Sequence, residues 1–320
     1  MSGTAFVCVA AASVHAAEVS LGGVSDEGLE SALRGGSLLI EQTALEENRP
    51  SNTEILGAAQ ADYKRLLAVM HDNGYFGGSI HILVDGREAA SIPQVSPPAS
   101  ISNIEIKVEE GPKFVFGRAR VAPLAPETEI PEGFAEGETA SLSVLKSTVS
   151  ECIDGWRNQG HAKAALVGQE LVADHPARHI HADLTLDPGP RLRFGPLVIE
   201  SESAVRPERI RDIAGLPEGQ IYSPEEIRSS TERLRRTGAF NAVALTEAEQ
   251  IGPENTLPVN AQIIDAPQRR LGFGAELSTL EGLTVSAFWL HRNLLGGAER
   301  LRFDAEITGI GGGSGGTDYK

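Results

Sequence analysis

Three histidines, His175, His179 and His181, are the side chains whose type and spacing could bind a metal ion. On a strand, His179 and His181 point to the same face, as two zinc ligands would. The surrounding stretch HPARHIHADL supplies no cysteine or acidic motif that completes a recognisable zinc site. We therefore favour a strand face and predict no metal, with a metal-dependent hydrolase as the remote alternative.

Other residues with reactive chemistry give weaker patterns. Cys152 is in helical register with Leu145, Val149 and Trp156, which indicates a buried structural thiol. The glycine run GIGGGSGG lacks the strand, helix and Lys-Ser/Thr context of a phosphate loop, and no carboxylate pair is isolated in an apolar setting. We predict no catalytic residue, no cofactor and no enzymatic activity.

Composition excludes some classes of function. The chain has 320 residues, 41% of them hydrophobic, and a formal net charge of -16, so a basic surface for nucleic acid is absent. The sequence has no run of 18 apolar residues, although strands that cross a membrane leave no such run. An apolar stretch at 5–12, followed by Ala16 and Ala17, predicts a signal peptide over residues 1–16.

The elements that position these residues repeat along the chain. The segments EEGPKFVFGRARV, DPGPRLRFGPLVI and DAPQRRLGFGAEL share one pattern, and their prolines Pro112, Pro190 and Pro267 are 78 and 77 residues apart. Repetition on this scale predicts small tandem domains. A second set of signals, DNGYF, NQGHA and RTGAF, has the same period and predicts that a helix ends at each glycine.

Helix start signals support the same division. Ser51 and Glu54 predict a capping box, and Ser223, Pro224 and Glu226 predict another. Each repeat is therefore expected to contain, in order, a strand, two helices and two strands. This order, the glycine after the second helix and the GP.(L/F).FG start of the next repeat resemble the polypeptide-transport-associated (POTRA) family.

The resemblance implies an α+β chain of three tandem POTRA modules with the order β-α-α-β-β. The expected modules are 17–110, 111–188 and 189–265. Beyond them, RRLGFGAELS and RLRFDAEIT alternate apolar and polar residues, and HRNLLGGAERLRF is similar to a motif between early barrel strands of the outer-membrane assembly superfamily. Residues 266–320 are thus expected to begin a transmembrane β-barrel that is truncated here, since a barrel needs about eight strands. A small soluble sheet is the alternative.

Within that superfamily, three modules before the barrel are most like the TamA family. The resemblance implies assembly and translocation of outer-membrane and autotransporter clients, held unfolded by periplasmic modules and passed to the barrel. Implied partners are a TamB-like protein anchored in the inner membrane and outer-membrane lipid. A stand-alone periplasmic POTRA scaffold or adaptor is the alternative, and a periplasmic metal-dependent hydrolase the remote one.

Two strands are the candidate sites. A module with two helices on a three-stranded sheet leaves an edge to which an extended client adds through backbone hydrogen bonds. Phe240, Asn241 and Val243 form the candidate edge strand. The candidate barrel seam is the first strand of the last segment, with Leu271, Gly272, Phe273, Gly274 and Glu276.

Overall fold

A computed structural model describes residues 17–44, 50–278, 282–310 and 318–319. The described residues fall into two compact units, each considered by itself. The first comprises those of Met1–Ala122, Thr128–Cys152 and Leu166–Thr185, and the second those of Pro123–Glu127, Ile153–Ala165 and Leu186–Lys320. The predicted signal peptide at 1–16 lies outside the described residues. Among the helices described, none is long and apolar enough to span a membrane.

The first sheet has the strand order β1-β4-β2-β3, with β1 parallel and β2 antiparallel to β4. Its helices pack on it through a continuous apolar core that includes Leu56, Leu66 and Ile104, and the predicted capping box of Ser51 and Glu54 is formed. The elements are β1 (Glu18–Gly22), α1 (Glu27–Gly36), α2 (Leu38–Thr43), α3 (Asn52–Asp72), β2 (Ser79–Val84), β3 (Arg87–Glu88), a 3-10 turn (Ala89–Ser91) and β4 (Asn103–Glu109).

The second sheet has the order β5-β7-β6 and one described helix, where two were predicted. Its elements are β5 (Val115–Ala122), α4 (Leu142–Asn158), β6 (Ala165–Asp174) and β7 (His179–Asp187). Turns replace the first helix between β5 and α4, because Pro123, Pro126 and Pro131 interrupt this stretch and Glu127 has a positive φ of 62°. Cys152 is buried on α4 as predicted, and burial, with a smaller effect of Glu151, raises the pKa of its thiol.

The third sheet has the predicted order of elements and the strand order β8-β10-β9. A second apolar core, including Phe194, Ile210 and Leu234, joins its helices to the sheet. Ser223 caps its second helix without the predicted side-chain hydrogen bond, so the second capping box is wrong. The elements are β8 (Arg193–Ile199), α5 (Pro207–Ala214), α6 (Pro224–Arg236), β9 (Phe240–Glu247), a 3-10 turn (Pro253–Asn255) and β10 (Thr256–Asp265).

The fourth sheet is antiparallel in the order β11-β12-β13-β14. Its strands are β11 (Arg269–Ser278), β12 (Gly282–Arg292), β13 (Arg300–Ile310) and β14 (Asp318–Tyr319). Side chains alternate between two faces, so Leu271, Trp289 and Phe303 lie in one row on one face. We call this the apolar face and the opposite one the polar face. As described, the sheet is open.

Two glycines that follow helices hold the start of the next strand. Gly74 and Gly160 have φ values of 90° and 97°, and their carbonyls accept from the N–H groups of Phe114 at 2.8 Å and Leu192 at 2.9 Å. A Cβ on Gly160 would lie 2.6 Å from Cγ2 of Ile221. Because both the φ and the space exclude other side chains, these positions require glycine.

A partly buried polar network lies beside the second of these contacts. Arg157 donates to the Tyr222 hydroxyl at 2.6 Å and to the Glu247 carboxylate at 2.5 Å, and Tyr222 also donates to Glu247. Lys163 donates to the carbonyl of Ala248 at 2.7 Å. The end of α4 and the loop after it are thus fixed to the end of β9.

Candidate functional site

The histidine pair predicted from the sequence packs against a glycine. The rings of His179 and His181 meet edge to face at 6.1 Å, and a Cβ on Gly117 would lie 2.6 Å from Cε1 of His181. His175 packs instead against Phe114. The described residues contain no cluster of three or more His, Cys, Asp or Glu side chains suited to a metal ion. The pair therefore covers the bulge at Gly117.

One edge of the third sheet is covered by its own chain. The N–H of Phe194 on β8 donates to the carbonyl of Gln220 at 2.8 Å, and the N–H of Gly219 returns to the carbonyl of Phe194 at 2.8 Å. Tyr222 donates from its backbone to Leu192 at 3.0 Å. Residues 219–222 thus satisfy the outward groups at the start of β8, so added strands cannot pair there.

The same cover recurs in the second sheet. The N–H of Phe116 on β5 donates to Glu138 at 2.8 Å, Gly137 donates to Phe116 at 2.8 Å, and Ala140 donates to Phe114 at 3.1 Å. Here the covering residues come from the turn segment that replaces the missing helix. The edge of β5 is therefore covered even though the second sheet lacks the predicted first helix.

The other edge of the third sheet, β9, carries the residues predicted as an edge strand. Phe240 and Val243 are buried toward the core, and Asn241 is exposed at a bulge where it has no partner on β10. The N–H of Ala248 donates to the carbonyl of Pro258 on β10 at 2.9 Å. Backbone groups of an antiparallel strand point alternately toward and away from its partner, so those of residues 243, 245 and 247 point outward. Beside them lies an open groove of about 830 Å³, lined by Glu200, Ser201, Arg235, Ile264 and the first five residues of β9 among others.

Arg235 on α6 occupies one of these outward acceptors. Its guanidinium donates to the backbone carbonyl of Val243 at 2.9 Å. A strand added at this edge would need the same carbonyl, so it would have to displace the Arg235 side chain. No pattern in the sequence predicts this contact, because it depends on how α6 packs along β9.

The corresponding strand of the first sheet, β2, is covered by the short strand β3 at its end and by side chains before it. Tyr63 contacts both the N–H and the carbonyl of Ile82 on β2, at 3.3 and 3.2 Å, and Glu88 accepts from the same N–H at 3.3 Å. Tyr63 also donates to Glu88. Burial and then the Glu88 contact raise the pKa of Tyr63 to about 12. Burial raises the pKa of Glu88, but its hydrogen bonds, first from Tyr63, outweigh that effect and lower it.

The second sheet offers a further edge, β6, that sequence reasoning missed. It has 10 residues, most of them exposed, including Val167, Leu171 and Val172. A groove of about 270 Å³ separates it from α4. The alternation of β6 is weak, so its pattern alone did not mark it as an apolar edge.

The predicted seam residues lie on β11, at one edge of the fourth sheet. Leu271 and Phe273 are on the apolar face, and Phe273 is 83% exposed. Gly272, Gly274 and Glu276 are on the polar face. A Cβ on Gly272 would lie 2.2 Å from the Phe288 ring, so Phe288 fills the space above this glycine.

Comparisons with known proteins agree with this architecture. Residues 192–263 match the POTRA family model, described as surface antigen variable number repeat. A crystal structure of Haemophilus influenzae BamA POTRA3-5 is similar over 78% of this chain and 95% of that chain, with 16% identity and a TM-score of 0.51. A comparison with curated proteins gives no match.

A second structure shares the fold over a smaller part of its length. BamA from Haemophilus ducreyi lacking POTRA domains 1-3 is similar over 61% of this chain and 37% of that chain, with 16% identity and a TM-score of 0.51. Residues 192–263 therefore match the POTRA family, and the chain shares the mixed α+β fold of these two structures. This confirms the resemblance to the POTRA-containing superfamily that the repeats indicated.

Proposed function

We propose that this chain belongs to an outer-membrane assembly or secretion factor that binds unfolded, strand-forming clients through its POTRA modules and has no catalytic role. The open edge of β9, beside a groove and opposite a covered edge, is the observation that supports this most. Outward backbone groups at residues 243, 245 and 247 bind an extended client with little demand on its side chains.

The proposal extends to the membrane. β11, β12 and β13 have 10, 11 and 11 residues, close to the roughly 9–11 that cross a bilayer. Their apolar face exposes Leu271, Phe273, Leu277 and Phe303. We propose that these strands begin a barrel in the outer membrane whose apolar face contacts lipid, with the modules 17–110, 111–188 and 189–265 in the periplasm and β11 at the seam.

The finer assignment rests on the three-module arrangement. In this proposal the protein is TamA-like, its clients include autotransporters, and a TamB-like partner anchored in the inner membrane cooperates with it. Support for the TamA-like assignment comes from the number of modules, and the HRNLLGGAERLRF motif supports the wider outer-membrane assembly superfamily.

Site-specific crosslinking tests the binding role. A photoreactive residue at Ala244, exposed on β9, should capture an unfolded outer-membrane client peptide. The same residue at Ile221, which is exposed on the segment that covers β8, is the matched control and should capture much less. Equal capture at both positions would show that the open edge does not select the client.

A further inference from the structure

The end of the fourth sheet nearest the third carries a group of arginines on one face. Arg270, Leu290 and Arg302 are directly opposite one another across three strands, and Arg292 is opposite Arg300. Since residues two apart on a strand share a face, all four arginines lie on the polar face within two rows. We call Arg270, Arg292, Arg300 and Arg302 the arginine patch.

An aromatic ring holds two of these guanidinium groups in place. The Phe288 ring has Arg302 at 4.4 Å and Arg270 at 5.9 Å from its centroid. The absence of a side chain at Gly272 makes room for that ring. Cation–π contact orients planar guanidinium groups. Arg302 uses Nε and Nη2 on Asp304, and Arg292 uses Nη1 on the Pro267 carbonyl at 3.0 Å, so their other N–H groups remain for an anion.

The acidic residues near the patch are engaged or distant. Asp304 accepts from Arg302 at 2.7 Å, and the Glu299 carboxylate accepts from the backbone of Leu295 and Gly297 at 3.1 and 3.2 Å. Glu276 and Glu306 lie further along the strands, toward the other end of the sheet. Arg292 and Arg300 are directly opposite each other, which is unfavourable for like charges. An anion bound between them would relieve this repulsion.

We propose that the arginine patch binds acidic segments of unfolded client polypeptides. The choice of a polypeptide rests on the proposed function, in which the opposite, apolar face contacts lipid. Residues two apart on an extended chain are separated by about 6.7 Å, so carboxylates at alternate positions of a client match the spacing of Arg300 and Arg302 on β13. In a chain of net charge -16, this patch is an attractive surface for acidic segments that the rest of the protein repels.

The test uses the full 320-residue chain in a neutral detergent and a fluorescent, extended peptide with Glu at alternate positions. The peptide should bind with an affinity that falls as salt rises, and its Gln counterpart should bind at least roughly tenfold more weakly, since a hydrogen bond to a charged group contributes about 1.5–3 kcal/mol. R292E/R300E should lose binding of the Glu peptide by a similar factor. R228E/R236E changes the net charge equally on α6 and should leave it unchanged.

Each outcome has a distinct meaning. Equal binding of the Glu and Gln peptides, or equal loss in the two double variants, would overturn the patch as a specific site. Crosslinking at Ala244 reports the β9 edge separately, so capture there with no Glu preference at the patch contradicts only this inference. If the residue at Ala244 captures no client but the Glu peptide still binds more tightly than the Gln peptide, client binding at the β9 edge is contradicted instead. If R292E/R300E does not unfold cooperatively, R270Q/R300Q is used instead; it removes two charges without reversing them and should show the same loss.

Discussion

The guanidinium of Arg235 donates to the carbonyl of Val243 at 2.9 Å and so occupies the acceptor that a client strand would use. Replacing Arg235 by Met keeps an apolar stem but frees this carbonyl. Because a typical hydrogen bond contributes about 0.5–1.5 kcal/mol, client peptides should bind β9 about two- to tenfold more tightly. Peptide titration by fluorescence anisotropy measures this change. Arg236→Met on the solvent side of α6 is the control, and weaker binding by Arg235→Met would show that the arginine assists the client.

The glycine after α4 should tolerate no side chain. Gly160→Ala combines a φ of 97° with a contact of 2.6 Å to Ile221, so we expect a loss in the free energy of unfolding of about 2–4 kcal/mol. Gly137→Ala has a similar φ of 89° and no atom within 4 Å, and should lose only the backbone part, about 1–2 kcal/mol. Urea unfolding of both variants measures the difference. Equal losses would mean that the Ile221 contact relaxes at no cost.

Alkaline pH should weaken the network at Tyr222. Burial and then its hydrogen bond to Glu247 raise the pKa of Tyr222 above its ordinary value of 10.0. A raised pKa means that the stabilisation is present below about pH 10 and is lost as pH rises through the pKa of the folded state. The unfolding free energy of the parent should therefore fall more steeply above pH 10 than that of Tyr222→Phe. Denaturant titrations at each pH measure both values. If the parent and Tyr222→Phe lose stability equally with rising pH, Tyr222 does not cause the alkaline loss.

Acid pH should remove the stabilising contribution of Glu88, which covers β2 of the first sheet. Hydrogen bonds lower the pKa of Glu88 below 4.5, so its stabilisation is present above about pH 4.5 and is lost as pH falls through the lowered value. Glu88→Gln should reduce the unfolding free energy by about 1 kcal/mol at neutral pH. Thermal unfolding from pH 7 to 3 should show this difference closing, while Glu129→Gln, an exposed control, shows none. A difference constant with pH would exclude the carboxylate as the cause.

The two faces of the fourth sheet should respond differently to charge. Phe273→Arg places a cation on the apolar face, where a lipid contact at mid-bilayer would cost about 2–4 kcal/mol, so membrane integration should fall. Ser286→Arg on the polar face should leave integration unchanged. Resistance of the membrane-bound chain to extraction with urea measures both. If the two variants behave alike, the apolar face does not contact lipid.

Local signals predicted much of the third sheet and its helices. The glycines Gly74, Gly160 and Gly238 all have positive φ, as their positions after helices indicated, because a left-handed residue is needed whatever the distant contacts are. The repeated Phe-Gly pair is explained by packing, since Phe116 and Phe194 are 0% and 1% exposed. In the third copy Phe273 is exposed, and this change marks where the repeated sheets give way to the fourth.

Features that depend on contacts between distant segments of the chain could not be predicted from the sequence. Ser223 and Glu226 have the spacing of a capping box that does not form, whereas Ser51 and Glu54 form one, and spacing alone does not distinguish them. The turn segment after β5 resembled a helix only through the repeat. The covers on β5 and β8 arise from backbone hydrogen bonds that involve no particular side chain and therefore leave no pattern in the sequence.

The cover that residues 219–222 place on β8 has a consequence for stoichiometry. A sheet with two free edges can grow from both sides and becomes a template for fibrils. In the proposed function, with the start of β8 covered, the third sheet would act as a monovalent receptor that takes up one strand at β9. Such a receptor can concentrate aggregation-prone chains without linking them to one another.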